Sequence, residues 1–160
     1  MLAYRHAFHA GNHADVLKHV VLVQVLRYLV GKDKPFRYID THAGAGGYLL
    51  KGAQAQKKAE YREGINRLWS RPDLPEAVAR HVQVLNEDGF AGLKGQIPPT
   101  PRRAAVLIDP SYELVGDYGK VVATLREAVT RFAEGVYMVW DPHGSRVEAV
   151  QLPKRLMALA

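Results

Sequence analysis

The sequence has no cysteine, which excludes a disulfide framework and a thiolate zinc site and is compatible with a reducing compartment. It has no long hydrophobic run either. The longest, Val20 to Leu26, is interrupted by Gln24 and is far too short to cross a bilayer. His, Arg and Asn stand among the first fifteen positions, so no secretory leader is expected, and the cytoplasm is the expected location. There is no internal repeat, no low-complexity tract and no sign of a second domain. Two phosphate-binding signatures are also missing. The glycines of residues 44–47 follow neither G-x-G-x-x-G nor G-x-x-x-x-G-K-[ST], and Lys51 is out of the P-loop position.

What remains is enough for one compact domain. The 160 residues are 48% hydrophobic, so a real core can form. Twenty-two Lys and Arg against sixteen Asp and Glu leave a net charge of +6, which favours a polyanionic partner.

The stretch from Phe36 to Tyr48 organises the chain. An apolar, aromatic segment ends on Asp40 and is followed by Thr41-His42-Ala43-Gly44-Ala45-Gly46-Gly47. This order predicts a buried parallel strand running into a tight glycine turn. Without a β-carbon, Gly44 and its neighbours let a ligand approach the main chain. Asp40 falls at the carboxyl end of the strand, where open α/β sheets bind ligands. A loop D-x-x-x-G-x-G without a phosphate-gripping lysine suits a nucleoside-like ligand such as S-adenosylmethionine; a ligand-free turn is the alternative.

Upstream, His6, His9, His13, Tyr4 and Phe8 surround Gly11-Asn12. Asn12 is expected to cap a helix over residues 14–30 whose apolar side includes Val16, Leu17, Val20, Val21, Val23, Leu26 and Leu29. No helix is expected across Gly11. The spacing of His9 and His13 therefore points to polar packing or an aromatic ligand rather than a metal. Downstream, the pattern predicts a helix from Glu60 to Trp69, a strand at His81–Leu85 ending near Asp88-Gly89, and a wholly apolar strand Ala104–Ile108. A helix at 117–133, a strand at 136–140 ending near Asp141, and a partly helical tail broken at Pro153 complete it. Strands alternating with helices predict an α/β fold, a mostly parallel sheet with helices on both faces.

Ala104–Ile108 runs straight into Asp109-Pro110-Ser111-Tyr112. A carboxylate and the following carbonyl can accept the hydrogens of an exocyclic amine such as adenine N6, raise the electron density of that poor nucleophile, and take its proton. Proline fixes the turn, and a tyrosine ring offers a surface for a flipped base. D-P-x-Y also occurs as an ordinary strand-exit turn.

Together, D-T-H-A-G-A-G at 40–46 and D-P-S-Y at 109–112 resemble the cofactor and D-P-P-Y motifs of amino-methyltransferases. The opening Tyr4-Arg5-His6-Ala7-Phe8-His9-Ala10-Gly11-Asn12-His13-Ala14-Asp15-Val16-Leu17-Lys18-His19 is more specific. It resembles the N-terminal signature of the RlmJ family, bacterial adenine-N6 methyltransferases of 23S ribosomal RNA. Asp33-Lys34-Pro35-Phe36, Glu60-Tyr61 with Gly64-Ile65, and Asp88-Gly89-Phe90 extend the similarity over most of the chain.

The resemblance implies a Rossmann-like, S-adenosylmethionine-dependent fold in one domain: an N-terminal motif and helix over 1–35 and a core over 36–160. It implies Asp109 as catalytic base, with Pro110 and Tyr112 beside the target adenine. Lys18, His19, His42, Gly44, Asp88, Gly89 and Asp109 would bind cofactor, and Tyr4 would contact RNA. No metal is implied; the partner is 23S ribosomal RNA, protein-free or early in assembly, and the chain a monomer. Ser111 replaces a proline of the family motif. Leu74–Leu85 spans in a dozen residues a longer family segment that carries the ribose-binding acid. The chain ends soon after Trp140, where the family adds its last strands, so an incomplete sheet is expected. A catalytically impaired RNA-binding remnant and a DNA adenine-N6 methyltransferase are the alternatives.

Overall fold

The computed structural model describes residues 8–44, 53–67, 84–141 and 144–159. They fall into two compact units: Met1–Tyr28 with Ala43–Leu85, and Leu29–His42 with Asn86–Ala160.

In the first unit, α1 (His13–Val30) begins where the sequence signals it. The Asn12 Oδ1 accepts the Asp15 N–H at 2.9 Å, satisfying one of the donors that a helix start leaves unbonded. Gly11, at φ +76°, turns the chain into the helix. Its carbonyl accepts the Ile65 N–H at 2.8 Å, and a β-carbon on Gly64 would lie 2.1 Å from that oxygen. Glycine at 64 is therefore a close-approach requirement. It also explains a correction. Glu60–Trp69 is not one helix: after α2 (Ala53–Lys58) the chain forms two 3₁₀ turns, Glu60–Glu63 and Ile65–Arg67, on either side of Gly64. Residues 68 and 69 lie outside the described set. The apolar side of α1 is only partly used. Leu22 and Leu29 are buried, whereas Leu17, Val20 and Val21 are about half exposed.

In the second unit, β1 (Arg37–Asp40), β2 (Ala104–Ile108) and β3 (Val136–Val139) form a parallel sheet in that order. Arg37 pairs with Ala104 and Asp40 with Leu107; Ala105 pairs with Val136 and Ile108 with Val139. The helices α3 (Gly89–Gln96), α4 (Val115–Arg131) and α5 (Val147–Met157) flank the sheet, α4 packing on both of the others. Ala104, Val106 and Ile108 join Leu93, Val121, Phe132 and Leu152 in one core. The alternate residues Ala105 and Leu107 are buried too, so both faces of β2 are shielded, as its unbroken apolar run requires. Each large side chain so buried contributes roughly 1.5–3 kcal/mol.

Polar groups close the loose ends. The Tyr137 hydroxyl donates to the Phe132 and Ala128 carbonyls at 2.7 and 3.0 Å, satisfying acceptors at the end of α4. Burial pushes that phenol up to about 12, so it remains a donor. Arg103 donates to the Leu29 carbonyl at 2.6 Å and to that of Lys34, and lies over Phe36, fixing the turn into β1.

Two more expectations change. Val84 and Leu85 are exposed and not in a strand; His81–Gln83 lie outside the described residues. An alternation of five residues is too short to hold a strand without a paired neighbour. Nor does Pro153 break the last helix: α5 continues through it. The proline ring faces solvent while Ala149 and Leu152 are buried, so packing of the opposite face outweighs the missing N–H.

Candidate active site

Parallel strands bring their carboxyl ends to one edge. Asp40 is the last residue of β1, Asp109 the first after β2, and Asp141 stands two past Val139 of β3. This is the edge at which open α/β sheets hold ligands.

The exit of β1 is tied to β2. The Thr41 N–H and hydroxyl both donate to the Leu107 carbonyl, at 3.0 and 3.1 Å. Asp40 Oδ1 accepts the His42 N–H at 3.1 Å. The Thr41 oxygen also lies 2.7 Å from His42 Nδ1. With the hydroxyl hydrogen on Leu107, the imidazole Nδ1–H is the donor in that contact, and Nε2 carries the lone pair. The ring meets Phe90 edge-on at 4.6 Å. Burial holds the imidazole below the ordinary histidine range, against the opposing pull of Asp109, Asp40, Asp88 and Asp117. His42 is therefore a neutral ring among carboxylates.

Asp88 has a different local role from the one its sequence context suggests. The described residues before it, 84–87, are not in a strand, and it is the N-cap of α3, with Oδ1 accepting the Ala91 N–H at 2.9 Å. Gly89 follows because nothing else fits. A β-carbon there would lie 1.7 Å from the Thr41 carbonyl oxygen. The helix start is thus pressed against the exit of β1.

At Asp109–Tyr112 the backbone is strained. Tyr112 has φ +52°, a left-handed conformation costing a side-chain-bearing residue on the order of 1 kcal/mol or more, which persists only when neighbours enforce it. Its hydroxyl donates to the Trp140 carbonyl at 2.8 Å, its ring packs on Tyr118 at 4.8 Å, and its carbonyl accepts from Arg146 Nη1 at 3.1 Å. Burial first, then Asp141 and Asp109, raises the phenol pKa well above the usual tyrosine value, keeping it a donor. The ring is 5% exposed rather than an open platform. Its visible contribution is the shape of the turn.

The second unit thus gathers Asp40, His42, Asp88, Gly89, Asp109, Pro110 and Tyr112. Lys18, His19 and Gly44 belong to the first unit. There Lys18 Nζ pairs with Asp15 Oδ1 at 3.2 Å, and His19 Nδ1 donates to the Asp15 carbonyl at 2.7 Å. Asp15 Oδ2 accepts the Gly11 N–H at 2.9 Å. His9 Nδ1 lies 3.0 Å from Glu60 Oε2, which also accepts from Asn12. Tyr4 and the glycines after Gly44 in this loop lie outside the described residues. Sequence reasoning gave no role of their own to Thr41, Phe90, Asp117 and Arg146. Thr41 and Phe90 stood inside the motifs at 40–46 and 88–90, and Asp117 carried a signal as an acid in the first turn of a helix.

Residues 33–87 and 77–159 match the family described as ribosomal RNA large subunit methyltransferase D, RlmJ. The chain is 36% identical to ribosomal RNA large subunit methyltransferase J of Haemophilus influenzae, an alignment covering 99% of this chain and 76% of that protein. The protein of the same name from Escherichia coli is 37% identical over 89% of this chain and 70% of its own length. The Haemophilus alignment spans 214 residues against the 160 here, so the relative carries residues without a counterpart. A crystal structure of a Legionella pneumophila protein assigned to family DUF519 superposes with a TM-score of 0.83 at 28% identity, covering 94% of this chain and 76% of that one. The matched segments include both β1 and the Asp109 turn, and the chain belongs to the RlmJ family of ribosomal RNA large subunit methyltransferases.

Proposed function

We propose that this chain transfers a methyl group from S-adenosylmethionine to the exocyclic N6 amine of an adenine in 23S ribosomal RNA. The observation that carries the reading is Asp109-Pro110, set by the fully buried β2 at the edge shared with Asp40 and His42. Family membership supplies the reaction class and the polymer.

The donor set suits the cofactor. S-adenosylmethionine, when bound, supplies an electrophilic methyl on a sulfonium sulfur. A neutral His42, unlike an imidazolium, does not repel that cation, and the carboxylates around it attract it. Asp88 and Gly89 would take the adenine end beside Phe90, whose ring meets His42. On the substrate side, the Asp109 carboxylate and the Pro110 carbonyl accept the two amino hydrogens. This directs the nitrogen lone pair outward. As nitrogen gains the methyl it loses a proton, which Asp109 takes. Tyr112 stands beside the target base through the turn it shapes, and Tyr4 contacts the RNA.

The test is transfer of labelled methyl to protein-free 23S ribosomal RNA, with Asp109→Ala as control and the product digested to nucleosides. Label in N6-methyladenosine that is absent from the folded control supports the reading. Equal turnover by Asp109→Ala refutes it. A second reading, an RNA-binding chain without turnover, is favoured by the residues that the Haemophilus relative has and this chain lacks. Saturable S-adenosylmethionine binding would exclude its strong form.

A further inference from the structure

The turn that carries Asp109 needs something to hold it. Tyr112 sits at φ +52°, and a tyrosine left to itself does not stay there. Its side chain is anchored from one side by the bond to Trp140 at the end of β3. The main chain is anchored from another. Arg146, the N-cap residue of α5, donates from Nη1 to the Tyr112 carbonyl at 3.1 Å and to the Glu113 carbonyl at 3.3 Å. One guanidinium nitrogen thus bridges two successive carbonyls of the turn, directly after the left-handed residue.

Resting on the function proposed above, we infer that Arg146 is a positioning residue: it locks the Asp109–Glu113 turn in the conformation that aims the carboxylate and the Pro110 carbonyl at the amine. It touches neither cofactor nor base. A displacement of about 1 Å at a reacting group can lower a rate roughly hundredfold, so a clamp three residues from Asp109 governs turnover rather than affinity.

The experiment uses the full chain with Arg146→Ala. The expected result is a fall in kcat of about tenfold to hundredfold, with KM for S-adenosylmethionine and for RNA each within about twofold. Added methylguanidine restores part of kcat in the variant. A rise in RNA KM with unchanged kcat and a shallower salt dependence would instead make Arg146 a phosphate contact and overturn the inference. So would a lowered Tm with unchanged kcat. Should Arg146→Ala fail to fold, Arg146→Met, which keeps an aliphatic stem of similar volume and has no N–H donor, is measured in the same way, and unaltered kcat overturns the assignment. Backbone NMR shifts of Tyr112 and Glu113 read the clamp independently of activity. They move in the variant if Arg146 holds the turn, and unchanged shifts refute it. An inactive unaltered chain whose shifts move on substitution overturns the methyltransferase reading and leaves the clamp standing.

Discussion

Replacing Gly89 by alanine adds one methyl group at the point where α3 touches the exit of β1. The new carbon would lie 1.7 Å from the Thr41 carbonyl oxygen, 2.7 Å from its carbon and 3.3 Å from its Cα. All three are backbone atoms of a segment fixed to β2 by two bonds to Leu107, so no side chain can swing away. Either the helix start or the Thr41 turn must retreat by more than an ångström. Overpacking of this kind costs typically 1–3 kcal/mol. Alanine's better helix propensity returns at most about 1 kcal/mol at the first turn. Gly119, inside α4, is the control, because a β-carbon there meets nothing within 4 Å. Gly119→Ala should stabilise by about 0.5–1 kcal/mol. The two substitutions therefore differ by roughly 0.5–4 kcal/mol in urea unfolding. That corresponds to a separation in Tm of about 1–16 °C for a chain of this size. Gly92→Ala belongs between them, since the three atoms nearest its β-carbon all belong to the flexible Glu87 side chain. Equal stability of Gly89→Ala and Gly119→Ala would refute the close approach, and with it the argument that Asp88 and His42 are held in one site by backbone contact.

Titration gives two further outcomes. His42 is held below its ordinary range, so the unfolded chain binds a proton more readily. Its contribution is fully present above about pH 6.5 and is lost as pH falls below that value; His42→Asn should flatten this part of a stability–pH curve, and an unchanged slope would contradict the buried neutral ring. Glu60 titrates in the opposite sense. Burial pushes its carboxyl up, but hydrogen bonds from His9 and Asn12 outweigh that and leave it below the usual glutamate range. Its contribution is present above the ordinary glutamate value and disappears as pH falls through the lower folded one. Glu60→Gln should weaken acid sensitivity in a denaturation series between pH 3 and 6. Pro153 is exposed inside α5, so Pro153→Ala should raise Tm, by up to about 3 kcal/mol in stability; a lower Tm would mean that the ring packs.

Much of the fold was legible because its signals are local. The unbroken apolar run Ala104–Ile108 specifies a strand buried on both faces whatever surrounds it, and Asp109 must follow at its carboxyl end. Asn12 declares a helix start and bonds as a cap should. The periodicity of Tyr118, Val121, Val122 and Leu125 finds the buried side of α4. The misreadings came where a distant contact decides. The pattern from Glu60 to Trp69 looks helical until Gly64 is seen pressed on Gly11, about fifty residues away in sequence. Val84-Leu85 alternates like a strand but is not in one, and Asp88 caps a helix instead.

By itself, then, the sequence determined the apolar strand, the acid at its end, the capped first helix and the motifs that mark the family. Each is written in neighbouring residues, through side-chain period, backbone freedom and short-range hydrogen bonding. Only the tertiary structure decided that Gly89 must be glycine, that His42 is neutral, that Tyr112 is buried in a strained turn, and that Arg146 grips that turn. These depend on burial and on partners brought together from separate elements, which no local pattern of residues encodes.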